Sequence, residues 1–374
     1  MPVGYLTAGL VAAVPMLLAL QPLRSSGALG RLSWILTCVV NESPVLLVYW
    51  VLASTALAFA QGDVGSPGGL VALAVAAITP AVAVVLTRRS LQARPMIAAV
   101  LDGAPIGQTR SPRVYLAPLP LAHRGVERTS NLSYGDAGKL NSLDVYRRAL
   151  DAPDRAPILI HLHGGGFRGG RKSFESRPLL LRFAGLGWVC ISANYRLRPA
   201  ARFPDFVVDA KRVIAWARAH AAEYGGDPER VVIAGSSAGA HLAATAALTA
   251  NDPVFQPGFE DADTTVSACI GMYGYYGAVD RARTALPSSP RDYVHPGAPP
   301  FLIAHGTQDT LVPSAGARML ADSLRDVSRH PVVWVELPGA QHSFDLVRSI
   351  RFEALLDGIE VFADGVLNPG NASR

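Results

Sequence analysis

Ser237 stands at the centre of Gly235-Ser236-Ser237-Ala238-Gly239, directly after the apolar run at 231–234. A serine hydroxyl is a poor nucleophile until a base takes its proton, so a serine in such a turn directs attention to histidines and carboxylates. His342 lies in Gln341-His342-Ser343-Phe344, after the apolar run at 332–337 and the turn Pro338-Gly339. Asp309 closes His305-Gly306-Thr307-Gln308-Asp309, after the apolar run at 301–304. The chemistry these three residue types support is attack on a carbonyl. Ser237 is the nucleophile, His342 the general base, and Asp309 the acid that orients the imidazole and stabilises its cation.

A second glycine-rich turn, His163-Gly164-Gly165-Gly166-Phe167, follows the apolar run at 157–160, about 70 residues upstream of Ser237. Glycine suits a backbone that must approach substrate closely. The N–H groups of Gly165 and Gly166, with that of Ala238, are the expected donors to the developing oxyanion, and losing one such donor typically costs ~10²–10³ in rate. His163 is expected to fix this loop by hydrogen bonding. His161, His241 and His305 are the other histidines nearby. His241 is one turn beyond Ser237 on the same helix and should not point back at its Oγ, and His305 reads as structural. Rivals for the acid are Asp345 and Glu336, and Asp345 is too close to His342 in sequence to reach Nδ1 easily. Asp209 and Arg196 read as a structural pair.

These motifs need elements to hold them. Short apolar strands are expected at 143–146, 158–162, 188–192, 231–234, 268–272, 301–304 and 332–337, with a helix at 204–224 that Gly225-Gly226 stops. Strands alternating with helices imply a mostly parallel sheet covered on both faces. Reactive groups gather beyond the carboxyl ends of such strands, where all four motifs fall.

With Asn194-Tyr195-Arg196-Leu197, and with Ala240-His241-Leu242 continuing the serine motif, these sequences resemble the α/β-hydrolases of the hormone-sensitive-lipase-like esterase group. The resemblance covers 131–363. It implies an α/β-hydrolase fold, carboxylic ester hydrolysis on Ser237, Asp309 and His342 in that chain order, no metal and no cofactor. Two positions depart from the group's pattern: Ser236 stands where Asp is common, and Ala240 where Gly is common. Neither change removes a catalytic group. An amidase, a peptidase or an acyltransferase could use the same triad, and a non-catalytic receptor could use the same fold. Tyr275 and Tyr276 are equally readable as acyl-pocket lining and as core.

The first 90 residues are a different material. Apolar stretches run over 5–20, 32–60 and 70–87, each near the ~20 residues needed to cross a bilayer. Asn41-Glu42-Ser43-Pro44 interrupts the second, which is either one long tilted span or a shorter span starting at Pro44 after an interfacial piece. Pro44 as a first-turn residue favours the shorter version. A cleaved signal peptide would need a basic start, and no Lys or Arg precedes Arg24. Three packed soluble helices would carry more charge. Arg24 and Arg31 follow the first stretch, Asp63 lies in the second loop, and Arg88, Arg89 and Arg94 follow the third. The positive-inside rule then places the N-terminus outside and the rest of the chain on the cytoplasmic side. The expected organisation is a transmembrane region at 1–90, a connector or cap at 91–130 and an α/β-hydrolase domain at 131–374. Pro95, Pro105, Pro112, Pro118 and Pro120 break the connector, where 96–101 reads as a surface turn or a short interfacial helix.

Half of the 374 residues are apolar and the net charge is +5. All but Lys139, Lys172 and Lys211 of the 34 basic residues are Arg. The Arg-, Ala-, Gly- and Pro-rich composition suggests a GC-rich genome, and the expected location is the plasma membrane of a bacterium. No basic run interleaved with aromatics points to nucleic acid. Cys38, Cys190 and Cys269 form no metal or disulfide pattern. The expected partners are a small-molecule or lipid ester as substrate and membrane lipid. A homo-oligomer is possible through the small residues Gly9, Ala12 and Ala13.

Overall fold

The computed structural model describes residues 2–24, 27–107, 112–119, 124–150, 153–280 and 285–370; Pro120 lies outside them. The chain begins with helices α1 (Val3–Leu20), α2 (Ala28–Glu42), α3 (Val45–Ala60) and α4 (Pro67–Leu91). Pro67 occupies the first turn of α4, where its missing N–H costs nothing, and the Ser66 hydroxyl accepts the Gly69 N–H at 3.0 Å. Helix α5 (Ala93–Val100) almost continues α4, and α6 (Arg113–Leu116) is a single turn. Among the described residues two helices are long and apolar enough to cross a membrane, α1 and the rod at 67–100. The pair α2–α3 would supply a third, but it bends by 85° at Ser43-Pro44. The stretch at 32–60 is therefore two elements, as Pro44 suggested.

After α6 the chain forms β1 (Val126–Ser133), β2 (Ser142–Arg148), β3 (Ala156–Leu162), α7 (Arg177–Gly185), β4 (Val189–Ala193), α8 (Asp205–Ala219), β5 (Gly226–Ser236) and α9 (Ala238–Leu248). Next come β6 (Ala268–Met272), β7 (Phe301–Gly306), α10 (Ala315–Val327), β8 (Val332–Leu337) and α11 (Ile350–Leu367). The strands make one sheet in the order β1-β2-β4-β3-β5-β6-β7-β8. It is antiparallel from β1 to β4 and parallel from there to β8, as an α/β-hydrolase requires. Strand β1 was not expected and begins before residue 131. Its sequence, VERTSNLS, is largely exposed on both faces, so it carries no apolar alternation.

Alternate residues of a strand face opposite sides, and this divides the core. Ile158, Ile160 and Leu162 pack with Phe206 and Val213 of α8, Leu242 of α9 and Leu320 of α10. Leu159, Val232 and Ile270 pack with Phe183 of α7 and with Phe352, Leu355 and Ile359 of α11. Ala93 and Ile97 of α5 join this second core, and a Cβ on Gly358 of α11 would collide with Ile97. The 96–101 piece is thus neither a surface turn nor a membrane-surface helix, because its apolar face is spent on α11.

The small residues of α1 are spent in the same way. Ala12 and Ala13 are buried with Ala72 and Ala76 of α4, and the Gly9 Cα faces Val75 and Ala76. Small side chains let two helices approach closely, and here they join α1 to α4 within one chain. They are not free to pair with a second copy.

Helix α2 has an inverted polarity. Ser33, Thr37, Asn41 and Glu42 are buried, whereas Leu29, Leu32 and Ile35 are exposed. Its polar face is seated on the sheet's carboxyl end. Thr310 Oγ1 donates to Gly30 O (3.1 Å), Gln341 Nε2 to Thr37 Oγ1 (3.3 Å), and Asn41 Nδ2 to Gly339 O (2.7 Å).

Candidate active site

The chain leaves β3 for β4 on one side of the sheet and later enters β5 on the other, so β3 and β5 flank the switch in strand order. Such a switch opens a crevice at the carboxyl ends. Strand β5 delivers Ser236 and Ser237 there, and β3 delivers 163–166.

Ser237 adopts φ 54°, ψ −115°, a region costly for a residue with a Cβ, of order 1–3 kcal/mol. The flanking glycines make that turn possible. A Cβ on Gly235 would land on the Gly239 carbonyl, and one on Gly239 would land on the Leu162 carbonyl of β3. Helix α9 can therefore start hard against the sheet, and every residue in it is buried. Ala238 is its first residue, so its N–H has no partner within the helix.

His342 follows β8. Its Nδ1 lies 2.7 Å from Asp309 Oδ2 and its Nε2 lies 3.0 Å from Ser237 Oγ. With Nδ1 donating to the carboxylate, Nε2 is left to accept the serine proton. Asp309 is fixed by its other oxygen, which accepts the N–H groups of Leu311 (2.9 Å) and Val312 (2.8 Å). Burial works to raise the Asp309 pKa. The charge of His342 and the hydrogen bonds from His305 and His342 outweigh it, and the carboxyl is held well below its usual range. His305 Nε2 is 3.3 Å from the Asp309 carboxylate and 2.8 Å from Val312 O. His305 is therefore structural, but next to the acid.

The glycine loop follows β3 and has a left-handed backbone. Gly165 (φ 113°) and Gly166 (φ 61°) both lie in the left-handed region, and a Cβ on Gly165 would strike the Gly169 carbonyl. Both are exposed, and their N–H groups donate to nothing among the described residues. His163 stacks on Tyr195 at 4.4 Å, and its Nδ1 contacts Gly164 O at 2.6 Å. Burial pushes its pKa down to about 4. Its ring packs beside the loop in the low-pKa, uncharged form.

His241 contacts Tyr275 O through Nδ1 at 3.0 Å and does not face Ser237. Asp209 pairs with Arg196 and Glu336 with Arg318. Tyr276 is buried in the core, while Tyr275 is exposed and lies over His241.

Three groups at the site were not anticipated. Trp34 of α2 meets the His342 ring edge-on with centroids 6.3 Å apart. Helix α2 packs on the loops carrying Asp309 and His342, and the 91–130 segment also reaches the second of these loops, where the Arg348 N–H donates to Pro118 O at 2.7 Å. Behind the serine, Ser236 Oγ donates to Asp345 Oδ2 (2.6 Å) and lies 3.0 Å from His161 Nε2. Asp345 also accepts from the hydroxyls of Ser176 and Tyr273. Glu175 accepts the Gly164 N–H, and Gly164 is wedged between this carboxylate and the Ser237 Cβ. Burial, and then the charge of Asp345, push the Glu175 pKa up to about 8. Burial also raises that of Asp345, against the pull of its three hydroxyl donors. The unusual Ser236 of the serine motif thus leads to a buried acid 109 residues away.

Comparison with known proteins adds to this geometry. Residues 143–285 match the BD-FAE family model. A probable carboxylic ester hydrolase, LipM, of Mycobacterium tuberculosis is 36% identical over 96% of this chain and 92% of its own. Esterase LipQ of the same organism is 41% identical over 68% of this chain and 66% of its own. Among solved structures, an esterase from Thermogutta terrifontis, Est2, with butyrate bound, superposes with a TM-score of 0.55 at 27% identity, covering 66% of this chain and 95% of that one.

Proposed function

The chain belongs to the α/β-hydrolase esterases of the hormone-sensitive-lipase type, and from that premise we propose that it is a membrane-anchored serine carboxylesterase that passes its substrate's acyl group through an ester on Ser237. One observation carries the reading: Ser237, in its strained turn, is joined through His342 to Asp309 by contacts of 3.0 and 2.7 Å. In the first step Ser237 Oγ bonds to the ester carbonyl carbon and its proton passes to His342 Nε2. The carbonyl oxygen becomes an oxyanion held by the N–H groups of Gly165, Gly166 and Ala238. As the carbon–oxygen bond to the alcohol breaks, His342 returns the proton to the leaving oxygen. Water then repeats the sequence on the acyl-enzyme, releasing the acid and free Ser237. His163 braces the loop throughout.

In this reading α1, α3 and α4 cross the bilayer and α2 lies along its surface. Leu29, Leu32 and Ile35 on α2, Leu52 and Phe59 on α3, and Leu70 and Val71 on α4 are exposed, a pattern suited to lipid. Arg24 donates to Thr307 O (2.8 Å) beside the catalytic loops and Arg89 to Leu20 O (2.7 Å), which puts the basic ends on the hydrolase side and agrees with a cytoplasmic catalytic unit. An ester arriving from the bilayer surface would reach Ser237 past α2, so the substrate class is a lipid ester or another apolar ester.

The test is hydrolysis of a chain-length series of aryl esters by full-length, detergent-solubilised protein beside Ser237→Ala, with fluorophosphonate labelling. Turnover and labelling that disappear in the variant are expected, and the preferred length separates esterase from lipase. Turnover that survives Ser237→Ala would overturn the assignment.

A further inference from the structure

The chain bends by 85° between α2 and α3, at Ser43-Pro44, and both residues line a cavity of about 390 Å³. It lies at the junction of the N-terminal helices with the hydrolase, and its size is within the ~300–1,000 Å³ range of small-molecule sites. Val45 and Val48 of α3 and Pro80, Ala83 and Val84 of α4 make its walls, and Ile350 of α11 closes the hydrolase side.

Two polar groups in this apolar lining bear on what it could hold. Ser43 is only 2% exposed, and its hydroxyl finds no hydrogen-bond partner among the described residues. A buried hydroxyl in that state calls for a ligand or water. Arg88 is exposed at the rim and makes no ion pair or hydrogen bond among the described residues, whereas its neighbour Arg89 is committed to Leu20 O. The carboxylate of Glu42 also lines the cavity, but it is already held by Arg351 and Ser349. The uncompensated charge of the site is therefore positive. An apolar cavity with one free cation at its mouth matches an amphiphile with an apolar tail and an anionic head.

We propose that this cavity binds one acyl chain of an anionic phospholipid from the surrounding bilayer, with the headgroup phosphate at Arg88 and the Ser43 hydroxyl donating to the ester region below it. This rests on the reading above that α3 and α4 cross the membrane, with Arg88 at the cytoplasmic interface where basic pockets between helices hold anionic headgroups. The site is separate from Ser237. Its walls belong to α3, α4 and α11, so the bound lipid joins the membrane helices to the hydrolase.

The test uses full-length protein in a Ser237→Ala background, so that turnover consumes nothing. The protein is incubated with equimolar phosphatidylglycerol and phosphatidylcholine of identical chains, and retained lipids are counted by native mass spectrometry. One phosphatidylglycerol per chain is expected, at least tenfold over phosphatidylcholine. Val84→Trp, which fills the cavity, should cut retention at least tenfold. Val85→Trp, on an exposed position outside the lining, should not. Arg88→Gln should bring the ratio of the two lipids close to one. Equal retention by Val84→Trp and its parent, equal binding of the two lipids by the parent, or preference for a free fatty acid added in competition would each overturn the proposal. If Val84→Trp fails to fold, the surface change Arg88→Gln still decides it. Failure of the Ser237→Ala parent to retain lipid while it still integrates into membranes counts against this inference alone, whereas absence of ester turnover by the Ser237 enzyme counts only against the catalytic reading.

Discussion

Glu42 and Arg351 are 309 residues apart, and their side chains are 1% and 0% exposed. The Glu42 carboxylate accepts from Arg351 Nη1, from Asn41 Nδ2 at 3.2 Å and from the Ser349 hydroxyl at 2.7 Å. Ser349 in turn accepts the Phe352 N–H at 2.9 Å, so the same hydroxyl caps α11. Among the described residues Arg351 makes one further bond, from Nε to Pro338 O at 3.1 Å. Glu42→Gln would leave the arginine charged and buried without a counter-ion. Breaking a buried pair from one side typically costs about 3–5 kcal/mol. At roughly 2–4 °C per kcal/mol for a cooperative unit of this size, the midpoint should fall by about 6–20 °C. The paired replacement Glu42→Met with Arg351→Met removes both charges together, and such exchanges are often neutral or stabilising. It should therefore be clearly more stable than Glu42→Gln. The assay is thermal unfolding of full-length protein in detergent, followed with ester turnover. A shift below about 2 °C for Glu42→Gln, or a double variant no better than the single one, would refute the reasoning.

Two further outcomes follow from the site. Asp309→Asn keeps the shape of the acid but loses its charge and can hold the wrong His342 tautomer, so kcat should drop about 10⁴-fold with KM little changed, measured on a soluble aryl ester. Glu175 holds its proton to about pH 8 in the folded state, against an ordinary value of 4.5. The folded form thus binds more protons than the unfolded one between these values. Stability from this group is complete below about pH 4.5 and is lost as pH rises towards 8, by at most ~1.4 kcal/mol per pH unit. Glu175→Gln should flatten that slope in denaturant titrations run across the window, and an unchanged slope would place the proton elsewhere.

The parallel strands were legible because burial on both faces makes them short unbroken apolar runs, and their order placed Ser237, Asp309 and His342 at one edge. Strand β1 was not, since its residues are exposed on both faces and have no apolar period to read. The contact of Ser236 with Asp345 joins positions 109 apart, and no local pattern announces it. Asp345 could be set aside as a partner of the His342 ring, and the structure agrees, but its place behind the serine depends on how three loops fold together. Helix α2 is the instructive case. Its composition reads as membrane, and the interruption at 41–44 was visible, yet Ser33, Thr37 and Asn41 recur every four residues. That spacing puts them on one helical face, a signal for a helix seated on a polar surface that the apolar average concealed.

The seating of α2 also bears on how such a chain can change over generations. A lineage that shed its first 90 residues would leave Arg351 without its counter-ion and would strip Gln341 and Thr310 of the partners that α2 gives them. Position 42 is therefore expected to vary in step with 351, and 37 with 341, although each pair straddles the boundary between the N-terminal helices and the enzyme. Inheritance should treat the two halves as one object: recombination that swaps the N-terminal helices between distant relatives should yield inactive hybrids unless the seat beneath α2 travels with them.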